Sequence, residues 1–289
     1  MKGTLGVVAA LVITLCGPVP AARAADYAGP LIDAHSHLPN PTAIDAYVEA
    51  MKRHDVRRVL LLGVGGVQKD DPAWIAAAAR KYPDRVLPGA PVSDPTAADA
   101  GARLEAALGR GKAHAIGEVH LRQLSRKIDR DPTTPGFAQV LDVAAKHGLP
   151  VVVHDELDDK AAEALGKALA AHPRTTIVLA HAGEATPARL EPLLVRHPNL
   201  MVDLSGMHFQ RTPALATETG PLDPAWKALV EKMPDRFLMG VDVWAARLFE
   251  RAMLDRLMKW TRRILGELSP AVAERVAYGN AAKLYRAGP

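Results

Sequence analysis

The sequence predicts a single (β/α)8 barrel, and three observations carry that reading. Short β-branched runs alternate with alanine-rich amphipathic stretches along the chain, the signature of α/β architecture. Several of the runs are apolar on both faces, which suits a parallel sheet covered by helices rather than a half-exposed antiparallel one. There are eight such runs in the 265 residues that follow a leader of 24, and a (β/α)8 barrel typically takes about 250.

The leader comes first. In "MKGTLGVVAALVITLCGPVPAARAAD", Lys2 supplies a positive n-region, residues 5 to 16 an apolar core, and Ala22-Arg23-Ala24 an A-x-A cleavage site. Residues 1–24 therefore read as a secretory signal peptide and 25–289 as the barrel domain. The apolar run is too short to span a bilayer, and no later segment approaches about 18 apolar residues. The expectation is a periplasmic or secreted chain with no stable membrane insertion after cleavage. Cys16 is the one cysteine, and the preceding "ITL" lacks the small residue expected before a lipoprotein cysteine. A mature chain without cysteine excludes disulfides, thiolate nucleophiles and Cys-ligated zinc. Of 36 basic and 32 acidic residues, Lys2 and Arg23 leave with the leader, so the mature net charge is +2. That is no nucleic-acid footprint, and no nucleic-acid partner is expected.

The strand candidates follow in order: "LIDAH" (31 to 35), "RRVLLLGV" (57 to 64), "RVLPGAPV" (85 to 92), "AHAIGEV" (113 to 119), "PVVVH" (150 to 154), "TTIVLAH" (175 to 181), "NLMVDLS" (199 to 205) and "RFLMGVD" (236 to 242). Helical patterns such as "PTAIDAYVEAMKRH", "DPAWIAAAARKY" and "GFAQVLDVAAKHG" separate them, several opened by a capping Ser, Thr or Asp. An open doubly wound sheet competes, but its Gly-rich dinucleotide loop is missing. "GVGGV" at 63 to 67 lacks the GxGxxG spacing and reads as a plain strand-to-helix turn.

The 11 histidines divide into two populations. His54, His147, His172 and His197 each end a predicted helix, where histidine can cap carbonyls and complement the negative helix end. His114 precedes its strand and is also read as structural. The others gather at the opposite ends of strands: His35 and His37 after the first, His120 after the fourth, His154 and His181 ending the fifth and sixth, and His208 after the seventh. Glu118 and Asp242 end the fourth and eighth. All belong to the carboxyl rim, where barrel enzymes build their active sites. His35 and His37, at i and i+2 on an extended segment, point the same way. Nitrogen and carboxylate oxygen suit zinc, manganese, iron or nickel, and the lack of thiolates argues against a closed structural zinc site.

The motifs "DAHSH", "AIGEVH", "VVVH", "LAHAG", "GVD" and the closing "YGNAAKLY" together resemble the metal-dependent amidohydrolase superfamily, and within it the amidohydrolase-related (amidohydrolase 2) group. The likeness covers most of the mature chain. It implies one metal held by His35, His37 and Asp242, a second by His154 and His181, and Glu118 bridging them. A glutamate where many relatives carry a carboxylated lysine is a TatD-like feature and leaves the count at one or two divalent ions, zinc foremost. The resemblance implies a hydrolase acting on an ester, lactone or amide bond of a small molecule by metal-activated water, with Asp242 as general acid-base. A TatD-like phosphodiesterase and a metal-dependent decarboxylase are the alternatives. His120, Arg122, His208 and Trp244 are candidate substrate contacts, Asp33 a support for a ligand histidine, and Asp155, Glu156 and Glu184 residues that face outward or line loops.

Overall fold

A computed structural model describes residues 25–64 and 68–288. The expected leader and the end of "GVGGV" lie outside the described residues. Nine strands form one sheet: β1 (Leu31–Ser36), β2 (Val56–Leu61), β3 (Val86–Ala90), β4 (Ala115–Gln123), β5 (Ile128–Asp129), β6 (Val151–Asp155), β7 (Ile177–Leu179), β8 (Leu200–Asp203) and β9 (Phe237–Leu238). Eight of them run parallel in the order β1-β2-β3-β4-β6-β7-β8-β9, with helices between. This is a (β/α)8 barrel. The ninth, β5, is an extra two-residue strand, antiparallel to β4 at the rim.

The ring is closed by backbone hydrogen bonds beyond β9. Ala34 N donates to Met239 O at 3.0 Å, Asp242 N to His35 O at 2.8 Å and His37 N to Val243 O at 2.8 Å. The last strand is thus stitched to the first at the level of the candidate site. Both β7 and β9 are shorter than their apolar runs predict. After β7 the chain turns through four consecutive left-handed residues, from His181 (φ 53°) to Glu184 (φ 50°), and Asp242 is left-handed as well (φ 57°). Each departure from extended geometry occurs where a functional side chain leaves the sheet.

Inside the ring, Ile32, Leu60, Leu62, Leu87, Val152, Val178 and Leu238 pack together, and Tyr285 and Ala287 join them from the C-terminal segment. A larger cluster between strands and helices includes Val59, Ile116, Val153, Leu179, Phe137, Leu165 and Leu257. Three of the four helix-end histidines bind carboxylates of neighbouring helices rather than carbonyls: His54 meets Asp255 at 2.8 Å, His147 meets Glu105 at 3.0 Å and His172 meets Asp142 at 3.2 Å, while the buried His197 Nε2 has no hydrogen-bond partner. His114 Nδ1 sits 2.6 Å from the Tyr285 carbonyl, a structural contact under the barrel floor. Among the described residues no helix is long and apolar enough to cross a membrane.

Candidate metal centre

Six side chains from five strands converge at the carboxyl rim. His35, His37, Glu118, His154, His181 and Asp242 are all at most 5% exposed. The histidine pair is oriented from behind. His35 Nδ1 lies 2.9 Å from Asp203 Oδ2, and His37 Nδ1 lies 2.9 Å from the Leu62 carbonyl. Both partners are acceptors, so each Nδ1 carries the proton and each Nε2 is free to present a lone pair to the centre. The two Nε2 atoms are 3.1 Å apart. Glu118 faces both, with Oε1 3.7 Å from His35 Nε2 and Oε2 3.5 Å from His37 Nε2, while Asp242 Oδ1 is 3.6 Å from His37 Nε2.

The second half of the cluster surrounds Glu118. Its Oε1 lies 3.0 Å from His154 Nδ1 and 3.3 Å from His181 Nε2, and its Oε2 lies 2.9 Å from His120 Nε2. The left-handed turn after β7 places His181 so that its backbone N donates to Asp203 Oδ1 at 3.1 Å and its Nδ1 lies 2.9 Å from the Ser205 carbonyl. Its Nε2 is thereby turned toward Glu118. Gly206 permits the close approach behind it: at φ 67°, an added Cβ would lie 2.7 Å from Asp242 Oδ2 and 2.6 Å from Arg211 Nη1.

Protonation follows from burial and charge. Burial opposes a charge on His35, but the carboxylates of Asp203 and Glu118 override it and lift the imidazole to about 10. Burial dominates at His37 and lowers it to about 4. Burial raises Glu118 and Asp242, yet His120 and His35 hold the former well below its usual range. His181, His35 and Arg211 bring Asp242 to about 2.

A divalent cation fits this centre better than a proton does. Glu118, Asp203 and Asp242 are three buried carboxylates, and Arg211, on Asp242, is the permanent cation paired with them. Buried charges are normally paired or coordinate metals. The buried carboxylates outnumber the permanent cation beside them, and a divalent ion would offset that excess of negative charge. Four overlapping sets bring ligand atoms within 4.8 Å of one another: His35, His37 and Glu118; His35, His181 and Asp242; Glu118, His120 and His154; and, nearer the surface, His154, Glu156 and Glu184.

The expected substrate contacts divide. His120, His208 and Trp244 line a cavity of about 580 Å³ above the cluster. His120 also binds Glu118, and its Nδ1, like His208 Nε2, is buried without a partner. Arg122 does not line the cavity. Two residues of β4 oppose one of β6 between the His120–His154 and Arg122–Asp155 pairs, so the alternation slips there. Arg122 instead donates to the Glu156 carbonyl at 2.5 Å and pairs with Asp158 at 2.7 Å. Asp155, expected to face outward, is buried, and burial pushes its carboxyl up to about 8. Asp33 accepts from His35 N at 3.2 Å and Val241 N at 2.7 Å, bracing β1 against the closing segment.

Sequence reasoning did not single out Asp203, Ser205, Gly206 or Arg211. Asp203 ends its strand at the rim just as Glu118 and Asp242 do, so its position carried the same signal.

A parallel barrel with a buried histidine–carboxylate centre at its carboxyl rim defines an enzyme of metal-binding type. The chain belongs to the amidohydrolase family, whose model matches residues 32–287. No curated protein matches it. Among solved structures it is similar to a protein from Acinetobacter baumannii described as a probable 2-pyrone-4,6-dicarboxylic acid hydrolase, with citric acid bound. The identity is 16%, over 89% of this chain and 100% of that one, with a TM-score of 0.63. It is similar to a dihydroxybenzoic acid decarboxylase from Polaromonas sp. JS666 with bound manganese and 2-nitroresorcinol: 15% identity, 90% and 98% coverage, TM-score 0.61. An amidohydrolase from Burkholderia multivorans with bound zinc gives 17% identity, 89% and 99% coverage, and TM-score 0.58. At these identities the likeness is one of fold. The matches give no support to a TatD-like relationship.

Proposed function

We propose that this chain is an exported, mononuclear metal-dependent hydrolase that cleaves an ester, lactone or amide bond of a small carboxylate-bearing molecule. The observation that carries the reading is the charge deficit of the centre, three buried carboxylates against one guanidinium. His35, His37, Glu118 and Asp242 would hold the ion, zinc foremost, with His181 and His154 beside it. Such an ion supplies Lewis acidity, lowering the pKa of water to near 7 and polarising a carbonyl oxygen.

The chain's own residues supply the rest. Asp242, held ionised by His181, His35 and Arg211, takes the proton of the attacking water and returns it to the leaving group. His120 and His208 each keep an unpartnered ring nitrogen in the cavity wall, suited to hydrogen bonding with substrate. Arg126 and Arg247 line the same cavity without a partner among the described residues, and guanidinium recognises carboxylate in bidentate fashion. Trp244, 43% exposed, offers a flat apolar surface at the mouth.

Non-oxidative decarboxylation is the second reading, and the same arginines favour it, because they would orient a carboxylate next to the centre. A panel of lactones, aryl esters, N-acyl amino acids, aryl carboxylates and phosphodiesters with the zinc-loaded and manganese-loaded protein tests both. Carbon dioxide release without hydrolysis selects decarboxylation, and turnover confined to phosphodiesters would overturn both readings. In the hydrolytic reading Asp242→Asn lowers kcat by about 10²–10⁴ with little change in KM. Wild-type kcat in that variant would remove Asp242 from the proton transfer.

A further inference from the structure

A second concave site lies along the outer face of β3. Helices Asp71–Lys81 and Ala100–Leu108 flank β3. The crevice between them has a lower part of about 950 Å³ and an upper part of about 570 Å³. The lower part opens where β2, β3 and β4 begin, away from the metal centre.

Its lining combines two chemistries. Ile75, Ala76, Ala79, Val86 and Leu108 give an apolar floor and walls. Around them stand five permanent cations, Arg58, Arg80, Arg110, Lys112 and Arg286; among the described residues no acidic side chain lines this lower part, whereas Asp71 lines the upper one. Arg58 and Arg286 donate only to carbonyls, of Gly288 at 3.2 Å and Gly148 at 3.1 Å. Arg80, Arg110 and Lys112 have no partner among the described residues. On the same surface other cations are neutralised by carboxylates, as Lys81 is by Asp45 and Lys146 by Glu105, both at 2.7 Å. Burial lowers the His114 imidazole below its ordinary value; the bond to the Tyr285 carbonyl opposes this, and the charges of Lys112, Arg58 and Arg286 add to the lowering.

From this we infer that the crevice binds an amphipathic organic anion, a free medium-chain carboxylate whose chain lies on the apolar floor and whose head group meets Arg110 and Lys112. A rim of unpaired cations with low-dielectric walls raises the local concentration of anions. Burying the chain removes apolar surface from water at both partners. The concave shape accommodates one acyl chain and does not match a flat bilayer.

The test uses the full purified chain at low ionic strength, titrated calorimetrically with dodecanoate below its micellar range. Expected are saturable one-to-one binding, weakening at least tenfold in Arg110→Ser/Lys112→Ser and at least tenfold in Ala76→Trp. Affinity is unchanged in Arg126→Ala/Arg247→Ala, which alters the metal-side cavity instead. Thermal midpoints identify variants that fail to fold, and the charge variant changes only exposed side chains. Several outcomes overturn the inference. These are no saturable binding, wild-type affinity in either folded crevice variant, dodecanol binding as tightly as dodecanoate, or weakening confined to the Arg126/Arg247 variant. Sedimentation with phosphatidylglycerol vesicles in the absence of dodecanoate binding would assign the cations to a membrane surface and likewise overturn it.

Discussion

Replacing Asp203 by asparagine tests the claim that the centre is oriented from behind. Asp203 is fully buried, and its two oxygens do different work. Oδ2 faces His35 Nδ1 at 2.9 Å, while Oδ1 accepts from the backbone N of His181 and of Ser205, each at 3.1 Å, and from the Ser205 hydroxyl. Every partner is a donor. Asparagine offers one acceptor and one donor, so either of its orientations sets N–H against N–H. If the amide nitrogen faces His35, the imidazole must move its proton to Nε2, the nitrogen turned toward His37 and Glu118, and the ligand lone pair is lost. If it faces the other way, two buried backbone N–H groups lose their acceptor, at roughly 1–3 kcal/mol each. Loss of a group that orients a metal-ligating histidine typically costs 10–100-fold in metal affinity, about 1.4–2.7 kcal/mol. Competition with a chromophoric chelator measures zinc affinity, and circular dichroism tracks folding. The expected result is a folded Asp203→Asn variant with zinc binding at least tenfold weaker. Wild-type zinc affinity in that variant would refute the orienting role.

Three further outcomes are expected. Zinc at about 100 times its Kd stabilises the fold by about 2.7 kcal/mol and raises Tm by roughly 5–10 °C, whereas calcium, which prefers oxygen ligands, leaves Tm unchanged; equal shifts with both ions would contradict a nitrogen-rich site. Arg211→Ala removes the guanidinium that helps hold Asp242 at about 2, so its carboxyl rises and the acid limb of the kcat profile moves up by about one pH unit, with Arg211→Lys restoring most of it. An unmoved acid limb would detach Arg211 from Asp242 chemistry. Asp71 is buried, and burial lifts its carboxyl from 3.8 to about 6. Between those values the native state keeps a proton that the unfolded state has lost, so stability falls as pH rises from about 4 to about 6 and the loss is complete above. Asp71→Asn, still able to accept from Val64 N, gains about 1–3 kcal/mol on wild type across that window in urea melts; parallel curves for the two proteins would count against it.

The parts of this molecule legible in its sequence are those where one local period fixes the answer. A buried parallel strand announces itself by an apolar run, and a histidine or carboxylate at its carboxyl end is carried to the rim by the topology, as His154 and Glu118 are. Strand ends are not legible where the chain leaves the sheet to deliver a side chain. "TTIVLAH" reads as strand to its last residue, yet the sheet stops at Leu179, because His181 reaches both Asp203 and Glu118 from a left-handed turn. Arg122, expected as a substrate contact, lies within β4 just past an irregularity in the β4–β6 register and turns to Glu156 and Asp158 instead. Arg211 sits 31 residues before Asp242 in a loop without periodicity, and only closure of the barrel brings the two together. Local pattern therefore specified which residues form the centre, while the residues that set its charge and tautomers are fixed by contacts between distant segments. That division explains why the acid-base chemistry of the site rests on Asp203 and Arg211 as much as on the ligands themselves.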